Sequence, residues 1–178
     1  MLAVRNGDVS ALGILFERYH AALFDFLSRM TGDRTAAEDM VQDVFVRILK
    51  YRATYRDEGS FETWVFRIAR NARVDYFRTR TVAEPLVGEV LERPEPSAGP
   101  LRQLEVHRDQ ARLKRALMRL GDDRRELIVL ARYRSLTHEQ IAGILGIEAG
   151  AVKVRLHRAM RELREILLKT VDENNHGA

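Results

Sequence analysis

Over the first eighty positions apolar residues recur every three or four places rather than every two. Leu15, Phe16, Tyr19, Leu23, Leu27 and Met30 form one stripe, Met40, Val41, Val44, Phe45, Ile48 and Leu49 a second, and Phe61, Trp64, Val65, Ile68 and Ala72 a third. That spacing puts each set on one face of a helix, so three amphipathic helices are predicted. Thr35 followed by Glu38 has the form of a capping box and is expected to open the second. Residues 55–60, with Asp57 and Gly59, break the pattern and predict a loop. Further on, Leu113, Leu117 and Leu120 make another stripe, 127–130 begin the next, and two more helices follow, so the chain is expected to be all-α.

Between these halves the periodicity stops. All four prolines, Pro85, Pro94, Pro96 and Pro100, fall within sixteen residues, with Gly88, Ser97 and Gly99 among them. Proline fixes the backbone and removes a donor, so this stretch reads as a linker. The expected organisation is two small helical domains, 1–80 and 109–172, joined by a flexible linker over 81–108 and followed by a disordered tail, 173–178.

The sharpest local signal lies between Thr137 and Met160. Thr137 with Gln140 predicts a capped helix carrying Ile141, Ala142, Ile144 and Leu145, and Gly146 supplies the backbone freedom for a tight turn. Ala142 is small enough to let a second helix cross closely, with Val152 and Leu156 turned inward. These are the requirements of a helix-turn-helix. The other face of the second helix carries Lys153, Arg155, His157, Arg158, Arg161 and Arg164, with Glu162 among them, a suitable face for DNA phosphates and guanine edges. A charged face of this kind is also what any solvated amphipathic helix presents.

A second basic run, Arg67, Arg70, Arg73, Arg78 and Arg80, is interleaved with Trp64, Phe66, Tyr76 and Phe77. Cations beside rings suit the exposed bases of a melted strand. Trp64 and Phe77 are expected in the core, Tyr76 and the arginines at the surface.

Charge sharpens this division. The net charge of +4 is distributed as +2 over residues 1–80, −3 over 81–110 and +5 over 111–178, so two basic modules flank an acidic tether. Cysteine is absent, which excludes disulfides and thiolate metal sites. No window reaches the roughly 18 apolar residues of a membrane span, and the N-terminus lacks a charged start followed by an apolar run, so a cytoplasmic protein without membrane insertion is expected. The histidines His20, His107, His138, His157 and His176 are scattered, and His138-Glu139 lacks the second histidine of a zinc-protease helix. With no phosphate-binding glycine loop either, no enzyme, cofactor, metal or small-molecule substrate is expected. Asp122 and Asp123 are better placed to open a helix near its positive end.

Residues 36–45 (AAEDMVQDVF), 61–71 (FETWVFRIARN), 136–146 (LTHEQIAGILG) and 152–159 (VKVRLHRA) closely resemble the bacterial extracytoplasmic-function sigma factors of the sigma-70 family. The resemblance implies that the first module acts as region 2, binding the clamp helices of core RNA polymerase and opening the promoter at the minus-10 element. The second acts as region 4, reading the minus-35 element and touching the polymerase flap. By the same resemblance Asp39, Gln42, Asp43 and Phe45 fall on the polymerase-binding helix. Tyr55, Arg56, Asp57, Glu58 and Ser60 fall on a loop that captures a flipped minus-10 base, with Arg67, Asn71 and Arg78 on the helix beside it. Lys153, Val154, Arg155, His157 and Arg158 fall on the minus-35 face, and an anti-sigma factor is an expected partner. Glu148, Gly150, Ala151 and Val154 depart from the usual family residues: Ala151 has no hydroxyl for phosphate, and Val154 offers only apolar contact, as to a thymine methyl. Two other readings are a sigma mimic that sequesters an anti-sigma protein and a conventional helix-turn-helix repressor. The first leaves the basic faces unused, the second leaves the first module unused.

Overall fold

The computed structural model describes the backbone of residues 1–80, 100–134 and 136–175, and the side chains of 1–79, 108–132, 134 and 136–169. The regular secondary structure of the described residues is all helical. In order they form α1 (Leu2–Arg5), α2 (Ala11–Thr31), α3 (Arg34–Tyr51), α4 (Phe61–Arg80), α5 (Pro100–Arg119), α6 (Asp122–Ile128), α7 (His138–Leu145) and α8 (Ala149–Asn175). A short 3-10 turn, Arg52–Thr54, follows α3, and a π-turn, Val129–Tyr133, continues α6.

Three boundaries differ from expectation. The second helix is opened not by Thr35 but by Asp33, whose carboxylate accepts from the Ala36 backbone N–H at 3.0 Å. Gly32, left-handed at φ 74°, ends α2 immediately before it, so two residues complete the turn and Thr35 already lies inside the helix. Secondly, α5 begins at Pro100, inside the expected linker. A proline at the first helical position loses no hydrogen bond, because that donor is orphaned anyway. Thirdly, α8 runs to Asn175, into the expected tail, of which 176–178 lie outside the described residues. Residues 81–99 of the linker lie outside them as well.

The larger hydrophobic core is shared between the two halves. Leu23, Phe26, Leu27 and Met30 of α2, Met40, Val44 and Ile48 of α3, and Val65, Phe66, Ala69 and Ala72 of α4 are continuous with Leu127, Val129, Leu130, Ile141, Ala142 and Val152 from the second half. Helix α4 is the shared wall. Its predicted stripe is buried or half-buried, but Phe66 and Arg73 are buried too, because the second half covers a further face. Phe66 meets Phe26 edge-on at 5.3 Å, and the Arg134 guanidinium sits 5.9 Å over its ring. A smaller core of Ala116, Leu117, Leu120, Ile128, Ala159 and Leu163 ties α5 and α6 to α8.

Arg125 clasps the arrangement. It is buried, and its guanidinium donates to the carbonyls of Met30 (2.6 Å), Leu117 (3.0 Å) and Leu120 (3.0 Å). Carbonyls at helix ends lack intrahelical partners and carry the negative end of the helix dipole, so one cation satisfies the ends of α2 and α5 together.

Candidate nucleic-acid interface

The turn chemistry of the helix-turn-helix is as the spacing requires. The Thr137 hydroxyl accepts from the Gln140 N–H at 3.2 Å, and the Gln140 side chain accepts from the Thr137 N–H at 2.9 Å, closing the capping box. Gly146 is left-handed at φ 68°, and the N–H groups of Gly146 and Ile147 both return to the Ala142 carbonyl, at 2.9 and 3.1 Å. These two hydrogen bonds satisfy the end of α7 and re-aim the chain into α8.

Helix α8 turns Val152, Ala159 and Leu163 into the core and leaves Lys153, Val154, Arg155, His157 and Arg158 exposed together. Further along, Arg161 lies 3.9 Å from Glu165, and Glu162 is engaged by Arg124, so these two carboxylates are directed to other cations. Among the described residues no carboxylate lies within ion-pair distance of Lys153, Arg155 or Arg158. Their charge is therefore uncompensated, which is what phosphate neutralisation needs. Val154, half exposed at 51%, projects an apolar surface among them.

The 55–60 loop is built differently from its predicted role in one respect. Tyr55 is only 4% exposed, lies edge-on to Trp64 at 5.3 Å and donates to Asp57 at 3.2 Å. Burial and the neighbouring carboxylate push its phenol pKa up. Tyr55 therefore anchors the loop, while Arg56, Asp57, Glu58 and Ser60 are exposed. The Ser60 hydroxyl accepts from the Glu62 N–H at 3.2 Å at the start of α4.

Asn71 and Arg78 are exposed on α4, Arg78 paired with Asp75 at 3.2 Å. Asn71 borders an open cavity of about 280 Å³ lined also by Arg47, Tyr51, Ile68, Val74 and Asp75. Arg47 bridges Asp43 and Asp75, each at 2.7 Å, and holds the Asp75 carboxyl below its usual range. This residue was missed in the sequence, although the four-residue spacing from Asp43 signals the pair.

On α3, Asp39 and Gln42 are exposed, but Asp43 is held by Arg47 and Phe45 is 7% exposed, its ring 5.0 Å from that of Phe16. Phe45 thus supports the helix from inside, and Val46, 62% exposed, is the apolar residue that faces out. The aromatic expectations on α4 divide similarly. Trp64 and Tyr76 pack half-buried against the core, whereas Phe77 is 43% exposed.

The arginines of α4 are not all open surface either. Arg67 is exposed yet donates to the Gly143 carbonyl, Arg70 pairs with Glu126 at 3.0 Å, and buried Arg73 pairs with Asp122 at 2.8 Å. Glu126 is 1% exposed, and burial raises its pKa despite Arg70. No helix among the described residues is long and apolar enough to cross a membrane, and no group of potential metal ligands occurs among them.

Residues 15–82 match the family model of Sigma-70 region 2, and residues 110–163 that of Sigma-70, region 4. The chain is 35% identical over 172 residues to the ECF RNA polymerase sigma factor ShbA of Streptomyces griseus, covering 90% of both chains. It is 31% identical over 166 residues to the RNA polymerase sigma factor CarQ of Myxococcus xanthus, covering 92% of both. Its fold matches that of the sigma factor RpoE from Bartonella quintana, solved in complex with the anti-sigma factor NepR, with a TM-score of 0.73 and 25% identity over 89% of this chain and 98% of that one. Both family models and these relatives agree, and the chain belongs to the extracytoplasmic-function sigma factors of the sigma-70 family.

Proposed function

We propose that this sigma factor divides promoter recognition between two surfaces and supplies no catalytic group of its own, the polymerase performing the chemistry. Lys153, Val154, Arg155, His157 and Arg158 read the minus-35 duplex. Arg56, Asp57, Glu58 and Ser60 form the polar rim that receives a flipped minus-10 base, with Tyr55 holding the loop and Arg67, Asn71 and Arg78 tracking the strand. Asp39, Gln42 and Val46 form the docking face for core polymerase, with Phe45 and the Asp43–Arg47 pair fixing the helix beneath. Residues 1–80 and 109–172 are the functional units, working in the cytoplasm, and an anti-sigma protein is the expected regulator.

The observation that carries this reading is the pairing of the uncompensated Lys153–Arg158 face with an exposed polar loop on a different module. A duplex reader alone needs only the first. The test is gel-filtration of the purified chain with core polymerase, followed by footprinting of the complex on DNA. Co-elution with protection of two separated promoter elements is expected. Specific protection by the chain alone, undiminished without polymerase, contradicts it and favours a repressor.

A further inference from the structure

The 55–60 loop is held at both ends by residues outside it, and one of them comes from the first turn of the chain. At the far end Phe61 lies edge-on to Tyr19 of α2 at 5.0 Å and 5.9 Å from the Tyr55 ring, so the two ends are drawn together. Residues 56–60 between them are all exposed. These ring contacts fix where the Tyr55 side chain sits, but not the plane of the peptide that leads from Tyr55 into the loop. That peptide is held by Arg5 of α1, whose Nη1 donates to the Tyr55 carbonyl at 3.1 Å across 50 positions of sequence. The Tyr55 N–H meanwhile closes the 3-10 turn on the Arg52 carbonyl at 3.2 Å.

Arg5 can hold the loop because α1 is itself fastened. Val4 is fully buried in the larger core. Just beyond it Gly7, left-handed at φ 106°, folds the chain back, with its N–H donating to the Val4 carbonyl at 3.2 Å and that of Asp8 to the Ala3 carbonyl at 3.0 Å. Helix α1 precedes residue 15, where the match to region 2 begins. The orientation of Tyr55 passes on to the rim of the loop, since its hydroxyl donates to Asp57 at 3.2 Å. A loop that must order itself around a ligand loses affinity to the ordering, and one already held in shape does not.

We propose that Arg5 is a positioning residue for promoter opening: from α1 it fixes the carbonyl of Tyr55 and so sets residues 56–60 in their receiving shape before a base arrives. This rests on the assignment of the 55–60 loop to the minus-10 base. Arg5 does not touch the base; it acts through Tyr55 and Asp57.

The test compares Arg5→Ala and Arg5→Lys with the unmodified chain, each bound to core polymerase, on DNA from upstream of its own coding sequence. The opening rate is read by permanganate oxidation of unpaired thymines, on intact DNA and with an abasic site at each minus-10 position of the melted strand in turn. On intact DNA Arg5→Ala should open roughly three- to tenfold more slowly, the range of one hydrogen bond, and Arg5→Lys, which keeps a cationic donor, should recover most of the loss. At the abasic position that slows the unmodified chain most, the captured base is missing, so the two chains should differ by less than about twofold. Affinity for core polymerase and for a minus-35 duplex should be unchanged. Unchanged opening by Arg5→Ala, an equal loss on intact and abasic DNA, no recovery by Arg5→Lys, or a parallel loss of polymerase binding overturns the positioning role. If no abasic position slows the unmodified chain, the assignment of the loop falls and the role of Arg5 with it; if one does and Arg5→Ala opens normally, the role of Arg5 alone falls.

Discussion

Replacing Phe66 by alanine probes whether the two modules are one cooperative body. Phe66 is fully buried, edge-on to Phe26 at 5.3 Å in the first module and under the Arg134 guanidinium at 5.9 Å in the second. Truncating a buried phenylalanine removes its transfer free energy and leaves a cavity that a rigid core only partly refills, costing about 3–5 kcal/mol. For a domain of this size each kcal/mol moves the melting temperature by about 2–4 °C, so a fall of roughly 6–20 °C is expected. Because the cavity borders both modules, the whole loss should appear in one transition, with far-UV circular dichroism and tryptophan fluorescence from Trp64 melting together. Two separable transitions, with only the one reported by Trp64 displaced, would refute the shared core. A shift below about 2 °C would refute the packing around Phe66 itself.

Arg158→Ala should cost about 1–3 kcal/mol of minus-35 affinity with relaxed base preference if it contacts a base, and an equal loss on every sequence if it contacts phosphate, both read by binding titrations on promoter variants. Thr137→Ala removes the hydroxyl half of the capping box and should destabilise the protein by about 1 kcal/mol in urea titration, with Thr137→Ser recovering most of it. Glu126 gives a pH signature: its carboxyl pKa is raised in the folded chain by burial, so its contribution to stability is greatest at low pH and is lost as pH rises from the ordinary carboxylate range to the raised value. Glu126→Gln should abolish that part of the decline in denaturant midpoint, and a decline unchanged in the variant would remove Glu126 as its source.

What was legible in the sequence is what local chemistry determines. The Thr137–Gln140 box, the left-handed Gly146 and the exposed Lys153–Arg158 face all follow from residues close in sequence. The Asp33 cap was displaced by two residues because Thr35 and Glu38 imitate a box, whereas Gly32 closes the preceding helix and leaves Asp33 the first position able to cap. Long-range facts were not legible. One stripe was visible on α4, but nothing local says that a module some fifty residues further along will bury Phe66 and Arg73. Charge composition likewise gives Arg70 and Arg73 as solvated cations; only the fold brings Glu126 and Asp122 to them. Phe45 and Tyr55 illustrate the same limit, each lying in a segment to which the family resemblance gives a binding role while its own side chain is buried.

We propose that this chain gives core RNA polymerase its promoter specificity through the α8 face and the 55–60 loop. The most direct measurement is multi-round run-off transcription by core polymerase with and without the chain, on DNA from upstream of its own coding sequence. A discrete transcript that appears only with the chain, and is lost when Lys153, Arg155 and Arg158 are together replaced by alanine, is the predicted result. Tight association with core polymerase and no transcript from any promoter would contradict this assignment.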